Sequence, residues 1–119
     1  MPRIRGDRGS VSLVAIGIVA VTATLVVALG AAGAVSAAAA RAQGAADASA
    51  LAVASEVRDL RALGGISEEN PCDEAVAVVG EWGVTLENCS VERGGAVTVT
   101  VGTRAAGISI SRLARAGTD

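Results

Sequence analysis

No charged residue occurs between Gly9 and Ala40, and nothing else in this chain constrains its fold as strongly. The most apolar part, Val11 to Gly30, spans about 30 Å as an α-helix, which matches the hydrocarbon layer of a bilayer. An apolar run of that length must either sit inside a large core or enter lipid. A large core is out of reach, because 119 residues make one domain at most. Large rings normally supply much of the buried area in a core, and Trp82 is the only aromatic residue. The run therefore predicts a membrane span. Arg3, Arg5 and Arg8 precede it, offset only by Asp7. By the positive-inside rule, residues 1–10 form a cytoplasmic basic stub and residues 11–40 a transmembrane helix, with the remainder extracytoplasmic.

A cleaved secretory signal is the competing expectation. Val35-Ser36-Ala37 and its alanine-rich neighbours resemble a small-residue cleavage site that would leave a chain starting near Ala38. The apolar run exceeds the usual signal core of about 7–15 residues, and helix-forming sequence continues past the cut, so retention is favoured. Either way the C-terminal part is exported.

No proline lies between Ser10 and Leu63. Ala31 to Ala40 consists mostly of strong helix formers. Beyond Arg41, the residues Ala46, Ala50, Val53, Val57 and Leu60 recur at three- and four-residue steps, while Asp47, Glu56, Arg58, Asp59 and Arg61 fall largely elsewhere. Residues 41–63 thus read as an exported amphipathic continuation of the same helix, about 80 Å long in all, with Gly64-Gly65 as its stop. Gly30, Gly33, Ala34, Ala37 and Ala38 stand at small-residue spacings that let two membrane helices approach closely.

Residues 64–119 predict a small extracytoplasmic α+β domain. Asn70 is a good N-cap, Pro71 suits the first helical position, and Asp73 and Glu74 suit the first turn of a short helix ending near Trp82. That helix is expected to bury Ala75, Val76, Val78 and Val79. Thr85 to Val91 reads as a strand, Arg93-Gly94-Gly95 as a hairpin turn, and Ala96 to Val101 as a strand with Val97, Val99 and Val101 on one face and Thr98 and Thr100 on the other. The tail from Arg104 is open between a third strand, from the alternation of Ile108 and Ile110 with Ser109 and Ser111, and fraying. Cys72 and Cys89, in an exported domain of this size, are most simply one disulfide.

Chemistry is sparse. There is no histidine and no lysine, so the commonest general base and the commonest metal ligand are missing. Two cysteines without histidine build no tetrahedral zinc site. The acid pairs Glu68-Glu69 and Asp73-Glu74 have no partner group and suit a helix start and a solvated surface. No phosphate-binding loop, nucleophile elbow or metalloprotease motif is present. The expectation is a non-catalytic protein without metal or cofactor, with neither nucleic acid nor a small-molecule substrate as partner.

A basic stub, a helix half in lipid and half out, and a disulfide-closed α+β head make up the pilin plan. Arg8-Gly9-Ser10-Val11 entering the span, and Arg41-Ala42-Gln43-Gly44-Ala45-Ala46-Asp47-Ala48-Ser49-Ala50-Leu51-Ala52 leaving it, resemble the TadE/TadG-like pilus-assembly proteins. The likeness is closest to the small actinobacterial TadE-like proteins encoded beside tight-adherence secretion genes, where an R-A-Q-x-A-A-D-x-x-A-L-A run precedes a Pro-Cys helix and a second Cys. Here those are Pro71-Cys72 and Cys89, and Arg41, Gln43, Ala46 and Asp47 carry the motif. The resemblance implies a minor pilin or pseudopilin-like component of a tight-adherence (Flp-type) pilus or secretion apparatus. Its partners would be the bilayer, other pilin-like subunits, and the membrane platform with its ATPase complex. Type IV pilins typically carry a Glu five residues after the leader-peptidase cut. Here that position is Val14 for a cut after Gly9, or Val11 for a cut after Gly6. Inefficient processing by a prepilin peptidase is the expectation.

Overall fold

The computed structural model of the chain describes residues 2–65 and 70–117, with side chains from residue 9 onward. Glu68-Glu69, the side chains of Arg3, Arg5, Asp7 and Arg8, and the expected fraying of the last residues lie outside that description. The chain is α+β: helix α1 (Pro2–Ala62), helix α2 (Cys72–Trp82), and strands β1 (Thr85–Val91), β2 (Val97–Ala105) and β3 (Ile108–Ala116). Met1–Gly33 and Ala34–Asp119 form two compact units.

In the first unit, α1 exposes every large apolar side chain from Val11 to Leu29. This stretch of helix is long and apolar enough to cross a membrane. Two hydroxyls inside it are satisfied by the helix itself: Thr22 donates to the Ile18 carbonyl and Thr24 to the Ala20 carbonyl, each at 2.8 Å. In lipid an unpaired hydroxyl would be costly, and back-bonding removes that cost.

In the second unit, a three-stranded antiparallel sheet of order β1-β2-β3 shares one core with α1 and α2. Ala42, Ala45, Ala46, Ser49, Ala50 and Val53 of α1 are fully buried. They meet Val97, Val99 and Val101, whose alternation with half-buried Thr98 and Thr100 follows from the period-two pleat. Ser49 is the one buried polar residue among those described, and its hydroxyl donates to the Ala45 carbonyl at 2.6 Å. Helix α1 ends in a Schellman motif: Gly65 N–H donates to the Leu60 carbonyl and Gly64 N–H to the Arg61 carbonyl, with Gly64 at φ 87°.

Helix α2 begins as the sequence suggests. The Asn70 carboxamide oxygen accepts from Cys72 N–H at 3.0 Å, and Pro71 already has helical angles. Of the four residues expected to be buried, Ala75 and Val79 are buried, Val78 is half-buried and Val76 is exposed. The correction is geometric: at about 100° per residue, Val76 turns off the face shared by Ala75, Val79 and Trp82.

Residues 104–116, left open by the sequence, form the end of β2, a tight turn and β3. Strand β2 extends to Ala105, and β3 pairs along its whole length, from Ala105↔Ile108 to Val97↔Ala116. The connection is the two-residue turn Ala106-Gly107, with both residues at positive φ (51° and 76°), the geometry of a type I′ hairpin. Left-handed backbone costs an alanine about 1–2 kcal/mol that glycine escapes. Ala106→Gly is therefore expected to stabilise the fold by about 1 kcal/mol, after the added chain entropy of glycine is subtracted. A shift of the denaturation midpoint to lower denaturant would contradict the turn assignment.

Candidate functional site

The residues singled out by sequence fall into three groups. Gly30, Gly33, Ala34 and Ala37 are exposed and Ala38 is half-buried, so the small-residue stripe remains open along α1. A Cβ built on Gly30 or Gly33 meets no heavy atom within 4 Å.

Arg41, Gln43, Ala46 and Asp47 divide by role. Ala46 is fully buried against the head. Gln43 Nε2 donates to Asp47 Oδ1 at 2.9 Å, one turn apart on the same helix, and Arg41 is exposed beside them. The motif thus combines a packing alanine, which lets the helix approach the sheet, with a polar pair that stays in solvent.

Cys72 and Cys89 form a disulfide with Cα atoms 6.0 Å apart. It joins the first residue of α2 to the middle of β1 and closes the head around the core. Only Ala75 and Val79 of α2 are fully buried, so the covalent tether carries much of the attachment of α2 to the sheet.

Three further arrangements had no clear sequence signal. Trp82 at the end of α2 lies over Gly44 of α1; a Cβ on Gly44 would sit 2.8 Å from Trp82 Cζ3 and 2.9 Å from Cη2. Glu87 is the extra residue of a β-bulge between Leu86 and Asn88, and its carboxylate reaches across the sheet. It accepts from the Ser111 hydroxyl at 2.9 and 3.1 Å, lying over Gly102, where any Cβ would collide with it. Arg61, in the last turn of α1, donates to the Arg93 and Gly94 carbonyls at 2.7 and 3.1 Å and pins the β1–β2 turn to the helix end. An unusual glycine placement marks each of these contacts, at Gly44, Gly102 and Gly95, but glycine is too common in this chain for the pattern to be read beforehand.

What these groups can do is hold surfaces together. The described residues contain no group of three or more Cys, Asp or Glu placed to hold a metal ion. Arg115 and Glu92 pair at 3.0 Å on the exposed face of the sheet, a solvated contact of small energetic weight. Comparison with family models, curated proteins and solved structures finds no match to this chain.

Proposed function

We propose that this chain is a membrane-anchored, minor pilin or pseudopilin-like structural component of a tight-adherence (Flp-type) pilus or secretion apparatus, of the TadE-like kind. The observation that carries the reading is the division of labour along α1. Residues 9–40 of it are uncharged and expose every large apolar side chain from Val11 to Leu29, while its later part supplies a buried alanine face to a disulfide-closed α+β head. The R-A-Q-x-A-A-D run at Arg41–Asp47 lies in the second of these parts, with its Ala46 inside the core.

In this reading residues 11–40 hold the subunit in the bilayer, with the N-terminus cytoplasmic and the head extracytoplasmic. The role is mechanical rather than catalytic: the helix provides a packing surface, and the head presents a rigid exterior to other pilin-like subunits and to the platform with its ATPase complex. Val14 (or Val11) cannot offer the countercharge that a newly freed amine would require, so the subunit keeps its basic stub and stays membrane-resident.

The test is crosslinking from a photoreactive residue at Ala34 in cells that make the apparatus. Adducts with pilin-like subunits or the platform are expected. Gly33→Leu should reduce them, because a large side chain separates helices that glycine lets approach, while insertion stays intact since Leu favours lipid. Adduct yields that do not respond to Gly33→Leu would contradict assembly through this face.

A further inference from the structure

Trp82 is the only aromatic side chain in the protein, and it is incompletely covered. It shares a face of α2 with Ala75 and Val79, which are buried, yet Trp82 remains 39% exposed. A ring serving only as filler over Gly44 would be expected to be covered as they are. Its neighbours account for the difference. Arg41, Gly80, Glu81, Trp82 and Gly83 line one open concavity, so a guanidinium and an indole share a surface.

The position of that surface along α1 is set by sequence. Arg41 is the first charged residue after Arg8. Gly44, under the ring, lies only about 6 Å along the helix from Ala40, the end of the uncharged run. Indole and guanidinium are the side chains suited to such a boundary. Tryptophan concentrates at headgroup level, where its ring meets apolar chains and its N–H meets polar acceptors. Arginine extends its aliphatic stem along apolar surface and places its charge among phosphates.

We infer that Trp82 and Arg41 form an interfacial anchor that seats the exported head on the lipid surface, with the indole and the guanidinium both at headgroup level. The inference rests on residues 11–40 being a membrane span. Gly44 has a defined part in it: the bare backbone lets the α2 ring lie against α1 at boundary height, instead of being pushed outward by a side chain.

Because Trp82 is the sole tryptophan, its fluorescence reports on this one site. The full chain is reconstituted into phosphatidylcholine–phosphatidylglycerol vesicles, either unbrominated or brominated near the glycerol end or near the methyl ends of the acyl chains. Flotation of the protein with the vesicles first tests the span itself. Among floated samples, Trp82 should lose about half its emission with the shallow label and clearly less with the deep one, as befits headgroup-level placement. A second chain carrying Trp82→Phe and Leu51→Trp places the reporter about 15 Å along α1 from Arg41, about 10 Å beyond Gly44, and should keep its emission in all three vesicles. Floated protein whose Trp82 emission is unaffected by either label would overturn the anchor while leaving the span in place. Equal quenching at Leu51→Trp and Trp82 would also overturn it, since the depth assignment would fail. Failure to float would remove the span and the anchor together.

Discussion

Cys89→Ala is expected to lower the stability of the head by about 3 kcal/mol, within the roughly 2–5 kcal/mol seen when small exported domains lose a disulfide. The Cys72–Cys89 bond closes a loop with a sequence separation of 17 and ties α2 to β1. Beyond it, α2 contributes only Ala75 and Val79 as buried side chains, with Val78 half-buried and Trp82 partly covered. A domain that buries so few large groups gains little from the hydrophobic effect, so a covalent constraint on the unfolded chain weighs heavily. Denaturant unfolding in detergent, followed by Trp82 emission, measures the change directly. An unchanged midpoint, or full thiol labelling of the unreduced wild-type chain, would contradict the structural role of this bond.

Ala46→Leu is the second large effect. Ala42, Ala45, Ala46 and Ala50 have no exposed surface, and their small size brings the backbone of α1 close to Val97, Val99 and Val101. Three added carbons at Ala46 have no space to enter, so the helix must withdraw from the sheet and break neighbouring contacts. The expected cost is about 1–3 kcal/mol, as for other overpacked cores. The matched control is Leu51→Ala on the opposite, exposed face, which should change stability by no more than about 0.5 kcal/mol. Circular dichroism through a denaturant series would compare the two. Equal midpoints for both variants would show that the alanine face is not where the helix packs.

These two effects differ in how visible they are from sequence. The alanine face was legible, because Ala46, Ala50, Val53 and Val57 repeat with helical period among charged residues, and all four are buried. The cysteine pair was legible from the expected compartment and the domain's size, and the Thr/Val alternation of β2 from its period. Val76 was misplaced because a run of Ala and Val offers no polar residue to mark the outward face of a short helix. Strand β3 stayed open because its turn is Ala106-Gly107, and an alanine in left-handed backbone leaves none of the Asn-Gly or Asp-Gly signal by which such hairpins are read. Trp82 over Gly44 and Glu87 over Gly102 join residues far apart in sequence, and local pattern carries no information about which glycine accepts which side chain.

The arrangement also gives the motif at Arg41–Asp47 a physical content. Ala46 is held small by the sheet, Gln43 and Asp47 pair in solvent, and Arg41 is the first charged residue beyond the uncharged run. Substitutions along the motif should therefore separate into two kinds. Those at Ala46 act on folding, whereas those at Arg41 act on how the head meets its surroundings and leave the core alone.

The proposed anchor requires that the uncharged helix stay in the mature protein. Intact-mass measurement of the chain recovered from washed membranes of its native host tests this most directly. A membrane-associated chain whose mass includes Arg3, Arg5 and Arg8 is expected. A chain beginning near Ala38 and recovered from the medium would contradict the anchor, and one beginning at Ser10 or Asp7 only when a prepilin peptidase is present would contradict the retained stub.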